Sequence, residues 1–213
     1  MRYPSTPLRR RAYCLIATAA LISLPGLLTK ADALVRPSHE TGRAATWRKL
    51  YDQFPEAWKS RAVVVVREVS DREMNRLVHE REDGQSRDSE DDEVQGFFEY
   101  SGPKEDIPTI VIRENIPLED ASFIFTHEYG HFIWEEKLSD QERDDYFQVW
   151  NRQRRNRRLV SEYAKDSVAE GFAEAFAHYI RRPSRLHRKD TLSEQFLEDW
   201  LEDHRPAQRH EDK

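Results

Sequence analysis

A single cysteine stands among the 213 residues, at position 14. Past that point the chain has no disulfide and no thiolate chemistry. Glycine and proline are also scarce, at 7 and 10 residues, which excludes a collagen-like chain. A mean hydropathy of -0.89 excludes a polytopic membrane protein. Basic residues are outnumbered, 34 against 40 acidic, and the net charge of -6 argues against nucleic acid as the main partner. Aromatics are plentiful, with 5 Trp, 8 Tyr and 10 Phe. Those side chains supply large buried areas and argue against wholesale disorder. The length suits one domain, able to bury a core without metal or disulfide staples.

The one long apolar run lies at the start. Arg2, Arg9, Arg10 and Arg11 precede a nearly continuous apolar stretch over 12–28, broken by Pro25-Gly26. Ala31-Asp32-Ala33 then offers small residues at both cleavage-determining positions. That layout predicts a secretory signal over 1–33 and an exported, extracellular protein. An uncleaved membrane anchor is the alternative, at the short limit for spanning a bilayer. Cys14 lacks the flanking residues of a lipid-attachment site. Cleavage near Ala33 removes five Lys/Arg and one Asp, leaving 29 basic and 39 acidic residues and a charge of -10.

The remainder reads as a linker over 34–44, one domain over 45–204 and a polar tail over 205–213. Trp47, Leu50, Tyr51, Phe54 and Trp58 recur at three- and four-residue spacings and predict an amphipathic helix over 45–59, broken or kinked at Pro55. The β-branched run over 62–66 predicts a buried strand, and 71–80 a short helix. Residues 81–93 hold seven carboxylates and almost nothing apolar, the pattern of a solvated loop. Strands are predicted over 94–100 and 109–113, and helices over 118–138, 140–158, 167–182 and 191–204. No internal repeat is present. A short sheet followed by a mainly helical half indicates an α+β domain.

The segment His127-Glu128-Tyr129-Gly130-His131 is an H-E-x-x-H pattern. Positions four apart in a helix lie on one face, so His127 and His131 can offer two imidazoles to one metal ion. Glu128, one residue on, is rotated toward the open side and can reach metal-bound water. With 8 His in the chain, the pattern is expected by chance on the order of 0.03 times. Phe123, Ile124, Ile133, Trp134 and Leu138 supply apolar faces for the helix, and Pro117, Glu119 and Asp120 suit its start. Two buried core histidines would be the bland alternative.

A catalytic zinc site needs a third protein ligand and an open fourth position. Glu170 and Glu174 are four apart on the 167–182 helix, and His178 extends the same stripe. Ser167-Val168-Ala169-Glu170 also matches a capping box, which would occupy the Glu170 carboxylate with the helix end. From spacing alone the third ligand stays open among the three.

The H-E-x-x-H helix, together with Tyr163, Glu170 and Phe172-Ala173-Glu174-Ala175-Phe176, resembles the family of the anthrax lethal factor catalytic domain and the secreted Pro-Pro endopeptidases, gluzincin-type zinc metallopeptidases. The resemblance spans 94–182 and implies a small zincin-like domain. It implies zinc held by His127, His131 and Glu170, with Glu128 as general base and Glu174 supporting a histidine ligand. Tyr163, seven residues before Glu170, would help stabilise the oxyanion of a tetrahedral intermediate. The strand over 109–113 would be a sheet edge above the metal, pairing with an extended substrate.

The expectation is therefore an exported zinc endopeptidase, a monomer acting on peptides or surface and extracellular proteins, with no nucleic-acid partner and no lasting membrane insertion. A mature chain near 180 residues leaves no room for a separate delivery domain, which brings the Pro-Pro endopeptidases closer than a complete toxin. The alternative is a catalytically silent zincin-fold binding module. Arg152, Arg154, Arg155, Arg157 and Arg158 form a basic run. It reads as a solvated helix end, favoured there by the helix dipole, rather than as an anion-binding patch.

Overall fold

The computed structural model describes residues 36–37, 43–60, 63–81, 94–101 and 107–204. The expected export signal, nearly all of the linker, the acidic stretch 82–93, the turn at Gly102-Pro103 and the tail 205–213 lie outside the described residues. The strands are β1 (Arg36–Pro37), β2 (Val65–Val69), β3 (Gly96–Ser101) and β4 (Ile107–Arg113). Helices α1 (Ala44–Asp52) and α2 (Asp71–Arg81) sit among them. After β4 come α3 (Leu118–Glu136), α4 (Asp140–Arg155), α5 (Val168–Arg181), α6 (Pro183–Lys189) and α7 (Thr191–Asp203). Short 3-10 turns occur at Glu56–Trp58 and Tyr163–Lys165. The fold is α+β and mainly helical after the sheet. No helix among the described residues is long and apolar enough to cross a membrane.

The sheet order is β1-β2-β4-β3. β4 runs parallel to β2, with Val65 opposite Thr109 and Val69 opposite Arg113, and antiparallel to β3, with Gly96 opposite Ile112. This corrects one expectation: the strand over 109–113 is not an edge. The outermost strand on that side, among the described residues, is β3. The apolar run of β4 explains its inner place, because side chains alternate between faces. Ile110 and Ile112 enter the main core, while Val111 enters a smaller one with Val69 and Met74 beneath α2. Pro108, which cannot donate to a ladder, stands one position before the pairing with β2 begins.

β2 lies three residues downstream of its predicted place. Arg67 and Glu68 hide its continuation from a reading of hydropathy. In the fold each has an ionic partner, Arg67 with Glu73 on α2 and Glu68 with Arg43 at 3.5 Å. The predicted helix over 45–59 divides at Pro55 into α1 and the Glu56–Trp58 turn. Its five aromatic and aliphatic positions all reach the core as the spacing requires, with Trp47 and Trp58 fully buried. α6 is a helix that the sequence pattern does not predict, and Pro183 occupies its first turn, where the missing N–H costs nothing. Asp190 then ends α6 and starts α7: its carboxylate accepts from Ser193 N–H at 3.2 Å and from the Gln153 amide at 2.7 Å.

Candidate metal centre

α3 is buried on most of its circumference between sheet, α1 and α5, and its rotation is pinned at several points. The Tyr129 hydroxyl donates to Trp58 O at 2.8 Å and accepts from Ser60 N–H at 3.0 Å. At the far end, the Arg143 guanidinium donates to the carbonyls of Trp134 and Leu138, at 2.9 and 2.7 Å. These satisfy carbonyls that a helix end leaves open. With Tyr129 turned to the core, His127 and His131 are left facing α5.

Close approach of the two helices depends on Gly130. A β-carbon there would lie 2.8 Å from Ala173 Cα and 3.2 Å from Ala173 Cβ. The glycine between the paired histidines is thus the point where α5 crosses against α3. The crossing delivers Glu170 and Glu174 to the histidine face.

Glu170 does not serve as a full capping box. Its backbone N–H donates to Ser167 Oγ at 3.0 Å, so the serine caps α5. The carboxylate instead meets the imidazoles: Oε2 stands 3.1 Å from His127 Nε2 and 3.3 Å from His131 Nε2. The two Nε2 atoms are 3.2 Å apart. His127 Nδ1 donates to Glu174 Oε1 at 3.1 Å, which leaves Nε2 as a lone pair in the neutral ring. With that ring neutral, three electron-rich atoms converge on one point, an arrangement that a proton or a metal ion can satisfy. Ligands at ~2.0–2.1 Å from a tetrahedral ion stand about 3.3 Å apart, and the observed triangle has nearly those sides. His127, His131 and Glu170 can hold a metal ion.

The electrostatics follow the same contacts. Burial works against a charge on His127, but hydrogen bonds to Glu170 and Glu174 and the nearby Glu128 outweigh it and push its pKa up to about 10. Burial likewise opposes ionisation of Glu170, yet the two imidazoles hold its carboxyl well below the usual range. Glu174 is also lowered: burial opposes this, and His127, together with a hydrogen bond from Ser161, prevails. A proton on His127 stands where an ion would.

The other predicted residues are placed as follows. Glu128 is 6 % exposed and lies beside the first residue of β3, where a β-carbon on Gly96 would be 3.7 Å from its Cγ. Tyr163 is exposed and its ring lies 5.6 Å from that of His127. The Tyr163–Lys165 turn is fixed by Ala164, whose N–H donates to Ser161 Oγ and whose carbonyl accepts from Trp150 Nε1 at 2.8 Å. Glu174 takes the His127 Nδ1–H and is not part of the triad. His178 drops out of the ligand candidates: its Nδ1 donates to Glu174 O at 2.9 Å, and its ring is buried edge-on to Phe123. Gly130 and Ser161 also shape this site, and the sequence reading does not single them out. The first had a signal, a small residue between two ligands on one helix; the second had none.

No family model, no curated protein and no solved structure matches this chain, so these contacts and the sequence pattern carry the functional reading.

Proposed function

We propose that this protein is an exported zinc-dependent endopeptidase. The observation that carries the reading is the triangle of His127 Nε2, His131 Nε2 and Glu170 Oε2 with the Glu128 carboxylate one residue away on the same helix. Two imidazoles and one carboxylate suit zinc, and three protein ligands leave a position for water and substrate. The basic start, apolar run and small residues ending at Ala33 support export.

Bound there, the ion supplies Lewis acidity, lowering the pKa of water toward ~7 and polarising a carbonyl. Glu128 accepts a proton from the attacking water as the new C–O bond forms at the scissile carbonyl. It passes that proton to the amine as the C–N bond breaks. The Tyr163 hydroxyl donates to the oxyanion that develops on the carbonyl oxygen. Glu174 holds the His127 ring in the tautomer that keeps its Nε2 lone pair on the ligand side. Because β3 adjoins Glu128 and is the outermost strand on that side among the described residues, an extended substrate is expected along β3.

The test is zinc content and turnover of a diverse peptide library by the full chain, Glu128→Gln and Glu170→Ala. About one zinc per chain is expected, with cleavage lost and zinc kept in Glu128→Gln, and zinc lost in Glu170→Ala. Zinc without cleavage by the unaltered chain would turn the reading toward a metal-bearing binding module. No zinc at all would return both histidines to the core.

A further inference from the structure

The end of α4 carries a cation where backbone geometry prefers glycine. Arg157 has φ 54, in the left-handed region. Its N–H donates to Arg154 O at 3.1 Å, and the next N–H, of Arg158, to Gln153 O at 2.9 Å. That pair of bonds closes a helix in the manner usually built on glycine, and a β-carbon makes the position strained. Arg152, Arg154 and Arg155 precede it, and all five arginines are exposed.

The fold adds further cations from thirty residues downstream. The Arg158 guanidinium donates to Lys189 O at 3.1 Å and Arg188 O at 3.3 Å, and Arg185 to Val160 O at 3.5 Å. Arg185, Arg188 and Lys189 are exposed as well. Ion pairs in this half of the chain engage Arg143, Lys165 and Arg182. Neither group of cations has a carboxylate partner among the described residues. Helix-end chemistry accounts for Arg158, which satisfies the last carbonyls of α6. It also favours Arg188 and Lys189, in the last turn of α6, but it does not explain why Arg185 and the ends of α4 and α6 are brought together on a chain whose net charge is -6.

One cation of this face, Arg154, connects to the elements of the candidate metal centre. The Arg154 guanidinium covers the Trp150 ring, 4.9 Å from its centroid. The same indole donates to Ala164 O and packs on Gly171, neighbours in sequence of Tyr163 and Glu170. Trp150 therefore links the basic face to both elements that line the site.

The chemistry selects a partner. Guanidinium forks match carboxylates in paired hydrogen bonds, and all but one of these cations are arginine. The exposed large apolar residues among those described are Ile107, Leu118 and Tyr163, none of them on α4 or α6, so the face has no apolar anchor for a bilayer. We propose that the α4–α6 basic face docks an acidic segment of the peptide or protein substrate, outside the bond that is cut. The word substrate rests on the peptidase reading; the docking itself does not.

The test uses the full chain carrying Glu128→Gln, so that no turnover occurs, and fluorescence anisotropy of a dye-labelled peptide rich in Asp and Glu. Its Asn/Gln counterpart serves as the control. The acidic peptide should bind, more weakly as salt is raised, and the counterpart should not. Arg155→Glu with Arg188→Glu should lower affinity by about tenfold or more. Arg157→Gly should lower affinity while raising the melting temperature, a combination that misfolding cannot produce. Equal binding of both peptides, or unchanged binding by the Arg155/Arg188 variant, would overturn the proposal. So would tighter binding to phosphatidylglycerol vesicles or polyphosphate than to the acidic peptide. In the unaltered chain, an acidic extension on a cleaved peptide should lower KM and leave kcat unchanged. Docking without any cleavage or zinc would support the face and sink the peptidase reading alone.

Discussion

Replacing Gly130 with alanine tests the helix crossing on which the metal centre depends. In an ordinary helix this change stabilises by about 0.5–1 kcal/mol, because alanine loses less backbone freedom. Here the new β-carbon would sit 2.8 Å from Ala173 Cα, against an ordinary carbon–carbon separation of about 3.5 Å or more. α3 and α5 must part by about 0.7 Å to admit it, well beyond the ~0.2 Å tolerance of metal–ligand distances. Overpacking of this kind costs about 1–3 kcal/mol, so the net effect reverses sign to roughly 1 kcal/mol of destabilisation, or about 3 °C for a domain of this size. The separation falls between the two histidines on α3 and Glu170 on α5. Zinc affinity should therefore drop by about 10- to 100-fold, the scale seen when ligand support is disturbed. Competitive titration against a chromophoric chelator reads the affinity, and thermal denaturation of ion-free protein reads the stability. Adding Ala173→Gly should restore only part of the loss, since it removes the 3.2 Å contact and leaves the 2.8 Å one. An unchanged zinc affinity with a higher melting temperature would refute the reasoning.

Tyr163→Phe should keep its zinc and lower kcat by about 10²–10³-fold, with KM little changed, if the hydroxyl serves the oxyanion; steady-state kinetics on a cleaved peptide decide this. Glu174→Gln should weaken zinc binding by about 10- to 100-fold without abolishing it, measured by the same chelator titration. Zinc affinity should also rise about tenfold per pH unit between about 6.5 and 10, because the ion must displace a proton from His127, whose pKa is held up to about 10. In ion-free protein the raised pKa of His127 adds stability that is complete below about 6.5 and disappears as pH rises through about 10. Melting temperature of chelated protein should fall across that window, and a flat profile there would count against the contacts of His127 with Glu170 and Glu174.

Much of this architecture is local, and local features can be read from a sequence. The i, i+4 histidines need only a helix, and the apolar faces around them already predict one. The choice of third ligand is different. Glu170, Glu174 and His178 share a stripe, and the rotation and height of α5 against α3 decide which of them reaches both imidazoles. That depends on Gly130 meeting Ala173, a contact between residues far apart in the chain. The same limit explains the sheet. Strand composition marks β4 as apolar, but its position between β2 and β3 depends on pairing with distant partners. Polar residues within β2 looked like its end because their partners, Glu73 and Arg43, lie on other elements. Glu170 shows one motif with two readings: the backbone half of the cap forms, and the carboxylate goes to the imidazoles.

The residues that can hold a metal ion also lie far apart along the chain. His127 and Glu170 are separated by 43 positions, with all of α4 between them. An ion joining them ties off that loop as a covalent cross-link would, a constraint worth about 4 kcal/mol in chain-entropy terms. Past Cys14 the chain has no cysteine with which to make such a tie. The protein's lifetime against proteases would then follow the supply of metal: where the ion is withheld, the proposed activity and the resistance to digestion would be lost together.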